Sequence, residues 1–266
     1  MSNGGDSKLR GKRMVARSAE LGFTLIEMSI VLAIIGLIIG GILKGQEVVN
    51  NARLKTQVAQ IDAVKGAIFT FQDQYSFLPG DYPNATATLG FTSDAGDGNG
   101  AVAAPSATSM LDTDSEASTE SVLAWAQLDA SNLLAGIQLP SGTPVSSIVE
   151  GSTGVTMPGK MNNTYLWFAT FSSTPKGATA AIIAPMIRIQ PFSSGAIPAQ
   201  TQPYAVREPD AANIDRKYDD GIPDSGSIIT NSASDTTNCN AGGHAYVITA
   251  GASPQTPYCD LLWVAQ

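Results

Sequence analysis

From Phe23 to Leu43 the chain runs for 21 residues with a single charged side chain, Glu27. No other stretch restricts the fold as strongly. At 1.5 Å per helical residue the run spans about 32 Å, close to the hydrocarbon thickness of a bilayer. An ionised group in hydrocarbon is costly, so a carboxylate kept there reads as functional until its partner is found. Its position points to one. A chain cut after Gly22 would present the new α-ammonium group of Phe23 four residues before Glu27, within reach inside one subunit or across to a neighbour. The plain alternative is a helix-start acid favoured by the macrodipole. That explanation serves at a solvated helix end and weakens in a low-dielectric interior, which favours the charge pair.

What precedes the run is basic. Residues 1–22 carry Lys8, Arg10, Lys12, Arg13 and Arg17 against Asp6 and Glu20. The positive-inside rule then puts the N-terminus on the cytoplasmic side, an asymmetry softened by Lys44, Arg53 and Lys55 just beyond the run. An ordinary secretory signal is cut after its apolar region. Here the expected cut lies before it, so residues 23–43 stay in the mature protein as a membrane and assembly helix.

The helical pattern continues past the apolar run to about Tyr75. Leu54, Val58, Ile61, Val64, Ile68, Phe71 and Tyr75 recur every three or four residues, with Arg53, Lys55, Asp62, Lys65 and Asp73 off the stripe. Residues 44–76 therefore read as an amphipathic continuation, ended by Pro79, Gly80 and Pro83. Gly36, Gly40, Gly41 and Gly45 form overlapping small-xxx-small pairs in the first half. They either allow close helix approach in a membrane or are simply tolerated against lipid.

Residues 77–266 read as one head. A stretch over 84–117, rich in small and polar residues, reads as a loop. Glu120–Leu134 reads as a helix with Ser118 or Thr119 as N-cap, followed by strands over Thr164–Phe171, Ala178–Ile189, Ser227–Thr230, Ala245–Ala250 and Leu261–Ala265. The fold class is α+β: a long N-terminal α-helix, half transmembrane and half amphipathic, packed against an antiparallel β-sheet. Removing the leader from the totals of 15 basic and 23 acidic residues leaves 10 and 21. A head this acidic argues against nucleic acid as a partner, since sequence-independent binding works by neutralising phosphates.

The segment Gly22-Phe23-Thr24-Leu25-Ile26-Glu27, with the unbroken apolar run behind it, resembles the signal of type IV pilins and of type II secretion pseudopilins. The resemblance implies cleavage between Gly22 and Phe23 by a prepilin peptidase, N-methylation of Phe23, and assembly through Phe23 and Glu27. It also implies a single-pass inner-membrane precursor with its N-terminus cytoplasmic and its head extracytoplasmic, which then enters a periplasmic or cell-surface filament. Its partners would be the peptidase, copies of itself or related subunits, and the pilus or secretion assembly machinery. Many type IV pilins have Pro near residue 44, where this chain has Lys44. Loosening of the helix there would fall to Gly40 and Gly41.

No enzyme site is legible. A nucleophile–His arrangement would have to use His244, the single histidine of the chain, and Walker, Rossmann and HExxH patterns are missing from the sequence. The expected function is a non-enzymatic filament subunit with no required cofactor. The alternative is a signal-anchored extracytoplasmic enzyme or ligand-binding protein that uses the helix only as a tether. Cys239 and Cys259 read as a disulfide in an exported head, because zinc lacks further ligands. Two acidic loops invite comparison with calcium sites. Asp215, Asp219, Asp220 and Asp224 offer several hard oxygen ligands within ten residues, and Asp94, Asp97 and Asn99 lie in a Gly-rich loop; neither has EF-hand spacing. A solvated acidic turn is the competing reading for both. Calcium in the C-terminal loops of the pseudopilins that the chain resembles favours the first loop as a structural calcium site.

Overall fold

The computed structural model describes residues 23–90, 96–102, 117–137, 156–161, 163–173, 182–191, 205–230, 239, 245–246 and 259–265. The chain divides into two compact units, Met1–Val49 and Asn50–Gln266. Helix α1 covers Leu25–Tyr75, followed by α2 (Ala85–Thr88), α3 (Ala117–Ala130), β1 (Thr164–Ser173), β2 (Ile182–Pro191), α4 (Glu208–Tyr218), β3 (Ile228–Thr230) and β4 (Leu261–Val264). The expected helix and antiparallel sheet are both present.

In the first unit the described residues, 23–49, are exposed. The helix there is apolar on all sides, with Leu25, Leu32, Leu37 and Leu43 among its exposed residues. An 18-residue window of this helix has a mean hydropathy of 2.5, enough by length and composition to cross a membrane.

The second unit has the core. Of the stripe read from the sequence, Leu54, Val58, Ile61, Val64, Ile68 and Phe71 are buried and Tyr75, at its end, is partly buried. Burial of such side chains is worth roughly 1.5–3 kcal/mol each, which holds this part of α1 more firmly than intrinsic propensity would. Between the apolar positions, Gln57 is fully buried, and its Oε1 accepts the N–H groups of Lys160 (2.6 Å) and Met161 (3.1 Å). A Cβ at Gly159 would collide with the Thr164 hydroxyl and crowd Gln57, so this close approach requires glycine. The helix ends where Ser76 takes a left-handed backbone at φ 63°, the conformation usually filled by glycine just past a helix. Phe71, Tyr75, Phe77 and Tyr82 pack there with ring centroids 4.5 to 6.1 Å apart.

The sheet order is β1-β2-β4-β3, with all three pairs antiparallel. The last strand of the chain is thus inserted between β2 and β3. The register places Trp167 opposite Arg188, Ile187 opposite Trp263, and Ile229 opposite Leu262. Alternation then sorts the side chains onto two faces. Leu166, Phe168, Ile187, Ile189, Ile228, Leu261 and Trp263 join the core that includes the α1 stripe, while Ala169, Phe171, Met186, Ile229 and Leu262 form a smaller apolar layer. Into that smaller layer β2 sends Arg188. Its guanidinium pairs with Asp260 through Nη2 to Oδ2 at 2.6 Å, both side chains being buried, and lies 5.7 Å from the Trp167 ring centroid.

Several boundaries moved from expectation. Helix α3 spans Ala117–Ala130 instead of Glu120–Leu134, so the expected N-caps Ser118 and Thr119 lie inside it. It stops early because Asn132 turns left-handed (φ 56°) while Leu133 N–H returns to the Leu128 carbonyl and Asn132 N–H to Asp129. That is a Schellman ending, which satisfies the last carbonyls of the helix. Of the expected strand Ala245–Ala250 only 245–246 fall among the described residues, as do only parts of the loop over 84–117.

Candidate functional site

At the start of α1, Thr24 and Glu27 form a capping box. Glu27 Oε2 accepts both the Thr24 N–H (2.8 Å) and the Thr24 hydroxyl (2.7 Å), and the Glu27 N–H returns to Thr24 Oγ1 (3.3 Å). Reciprocal bonds of this kind satisfy amide groups that have no partner within the first turn of a helix. The Thr-x-x-Glu spacing of Thr24 and Glu27 is the sequence signal for this box. The bond also aims the carboxylate back toward residue 24, the end of the chain that a cut before Phe23 would free. In the uncut chain Phe23 is an amide, and its side chain is 80% exposed. Gly22 and the leader lie outside the described residues.

The C-terminal feature expected to be an acidic turn begins as a helix. Helix α4, Glu208–Tyr218, went unread, although its signals were present: Pro in the first turn, Glu208 and Asp210 at its start, and Arg216 and Lys217 at its end. Arg207 Nε donates to Asp210 at 2.6 Å across the helix start. The helix turns Ala211, Ala212, Ile214 and Asp215 inward, so Asp215 is a fully buried group and not part of a solvated turn. Asp215 Oδ2 accepts the Tyr246 hydroxyl (2.7 Å) and Oδ1 accepts the Gly221 N–H (3.1 Å). Burial pushes the Asp215 carboxyl up to about 6 in spite of those two bonds, with the charges of Asp219 and Asp220 adding to the shift. Burial and the same carboxylate keep Tyr246 protonated.

Asp215, Asp219 and Asp220 each bring one carboxylate oxygen to within 4.8 Å of the others. Asp224, expected alongside them, is not in that group. Each of the three has work within its own turn. Asp219 Oδ2 accepts the N–H groups of Ser227 (2.6 Å) and Ile228 (2.7 Å), where β3 begins, and a Cβ at Gly226 would strike that carboxylate. Asp220 accepts the Ile222 N–H and the Ser225 hydroxyl. The group supplies the hard oxygen ligands that calcium takes, and these hydrogen bonds hold the turn in its present form.

Cys239 and Cys259 are joined by a disulfide, with Cα atoms 5.2 Å apart. Cys259 also exchanges two backbone hydrogen bonds with Val206, and these bonds tie the entry to β4 to the segment leading into α4. His244 and Asp94 lie outside the described residues. Asp97 and Asn99 are described, and Asp97 gathers with Asp81 and Glu120.

A long N-terminal helix and a four-stranded antiparallel sheet make this an α+β protein with a layout consistent with a pilin-like fold. Residues 17–43 match the family model of the prokaryotic N-terminal methylation motif, which is the signal of type IV pilins and pseudopilins. No match was found among curated proteins or among solved structures.

Proposed function

We propose that the protein is the precursor of a structural filament subunit, of the type IV pilus or type II secretion pseudopilus kind. A prepilin peptidase cuts it between Gly22 and Phe23 and methylates the new amine of Phe23. The helix then leaves the bilayer to pack against the helices of neighbouring subunits. The observation that carries this reading is the methylation motif over 17–43, standing directly on a helix whose residues 23–49 are exposed on all sides. Such a surface fits lipid before assembly and other helices after it. Glu27, already turned toward the future chain end by Thr24, is placed to receive the Phe23 ammonium of its own or a neighbouring subunit. The chemistry is that of assembly, with the motor supplied by other proteins. The secondary expectation of calcium in the C-terminal turn rests on Asp215, Asp219 and Asp220.

Intact-mass analysis tests the central step. The mature protein should begin with N-methylated Phe23 and be recovered from sheared filaments, and Gly22→Leu should keep the leader by placing bulk beside the cut. An unprocessed monomer with residues 1–22 retained would instead support the tethered enzyme or binding protein.

A further inference from the structure

We propose that Asp81, Asp97 and Glu120 form a calcium site that clasps the turn after α1, the loop at 96–102 and the start of α3. The three carboxylates come from segments far apart in sequence, and one oxygen of each lies within 4.8 Å of the others. A cluster of acids on a surface needs no cation, because water can solvate each one. Asp81 is different: it is 1% exposed, and its Oδ1 has no hydrogen-bond partner. Its other oxygen, Oδ2, accepts the Gly100 N–H at 3.0 Å. Among the described residues no ion pair reaches Asp81. A buried carboxylate in this condition is costly, and a bound cation is one way in which such a charge is compensated. Burial moves the Asp81 carboxyl above its usual range, and the nearby Asp97 carboxylate moves it further in the same direction.

The backbone around the three acids is built for close approach. Gly80, at φ 97°, would place a Cβ on the Glu120 carbonyl oxygen, and its N–H donates to the buried Gln127 Oε1 at 2.7 Å, which presses the turn onto α3. Gly96 approaches the Asp81 backbone so closely that any Cβ would collide with it. Gly98 N–H then bonds the Asp81 carbonyl, and Asp97 N–H donates to Glu120 Oε1 at 3.3 Å. The donor set is entirely oxygen, with no thiolate or imidazole in the group, which selects a hard cation over zinc. An irregular site with several carboxylates suits calcium, whereas magnesium demands near-octahedral geometry and usually keeps much of its water.

The test uses the full chain in detergent, with calcium chloride or EGTA as the only variable, and follows thermal unfolding and radiocalcium binding by equilibrium dialysis. Calcium should raise the melting temperature. Asp97→Asn and Glu120→Gln should each weaken calcium binding at least about tenfold through loss of ligand charge, whereas Asp219→Asn should leave this binding event intact. Asp81→Asn should melt higher than wild type in EGTA, because the buried charge is gone, and combined with Asp219→Asn, which disables the C-terminal acidic turn, it should no longer respond to calcium. If Asp81→Asn does not fold, the Asp97 and Glu120 variants still decide the matter. The proposal is overturned if the wild type is insensitive to calcium up to roughly 10 mM, above the range of weak extracellular sites. It is also overturned if, in an Asp219→Asn background, binding survives both Asp97→Asn and Glu120→Gln, and an equal response to magnesium at the same concentration would overturn the assignment to calcium.

Discussion

Replacing Asp260 with Leu should destabilise the head more than its single position suggests, because it strands a guanidinium inside an apolar layer. Arg188 and Asp260 have side chains 2% and 0% exposed, linked through Nε to Oδ1 at 2.7 Å and Nη2 to Oδ2 at 2.6 Å. The same face of the sheet carries Ala169, Phe171, Met186, Ile229 and Leu262, and the amide of buried Gln190 lies within hydrogen-bond reach of the guanidinium but brings no charge to replace the carboxylate. Removing one partner of such a buried pair costs about 3–5 kcal/mol. For a domain of this size each kcal/mol moves the melting temperature by about 2–4 °C, so the loss should be roughly 6–20 °C. Arg188→Met should cost a similar amount, by leaving Asp260 charged and buried. The double variant Arg188→Met/Asp260→Leu removes both charges, and replacing a buried pair by apolar groups is often close to neutral. It should therefore be more stable than either single variant, which is strong coupling in a double-mutant cycle. Urea unfolding of a soluble head beginning at Lys44, followed by tryptophan fluorescence, measures all four species. Single costs that simply add in the double variant, or single variants within about 1 kcal/mol of wild type, would refute the argument that the pair sits in a low-dielectric layer.

Reduction of Cys239–Cys259 opens a loop with a sequence separation of 20, worth about 3 kcal/mol in the chain-entropy model, and should lower the urea midpoint accordingly; an unchanged midpoint would mean the unfolded chain gains nothing from release. Asp215 has its folded carboxyl raised from 3.8 to about 6, so in EGTA the folded state binds the extra proton between those values and stability should fall as pH rises through them, then level off. Asp215→Asn should abolish that slope, and equal slopes in variant and wild type would assign it to other groups. Glu27→Gln should insert and be cut normally yet be poorly recovered in sheared filaments, because the Phe23 amine of a neighbour would lose its partner in the packed core; normal filament yield would leave Glu27 with only its capping role at Thr24.

The helix was legible in the sequence because its two signals are local and repeated. An uninterrupted apolar run and a three-to-four-residue stripe from Leu54 to Tyr75 are local patterns, and the stripe is buried as far as Phe71 and partly buried at Tyr75. The methylation signal was legible for a related reason: its motif is contiguous in the chain, over residues 17–43. Strands β1 and β2 showed in their β-branched and aromatic content. Tertiary contacts decided the rest. Nothing local announces that β4 enters between β2 and β3, because strand order depends on which edges pair across segments far apart in the chain. The run Asp215–Asp224 reads in the sequence as one acidic turn, a candidate for calcium, yet packing of Ala211, Ala212 and Ile214 wound its start into α4 and buried Asp215, which accepts the Tyr246 hydroxyl. Asp81, Asp97 and Glu120 stand apart in the sequence, and only the glycine-permitted approach of three segments turns them into one group of charges, since burial and proximity are properties of the folded chain.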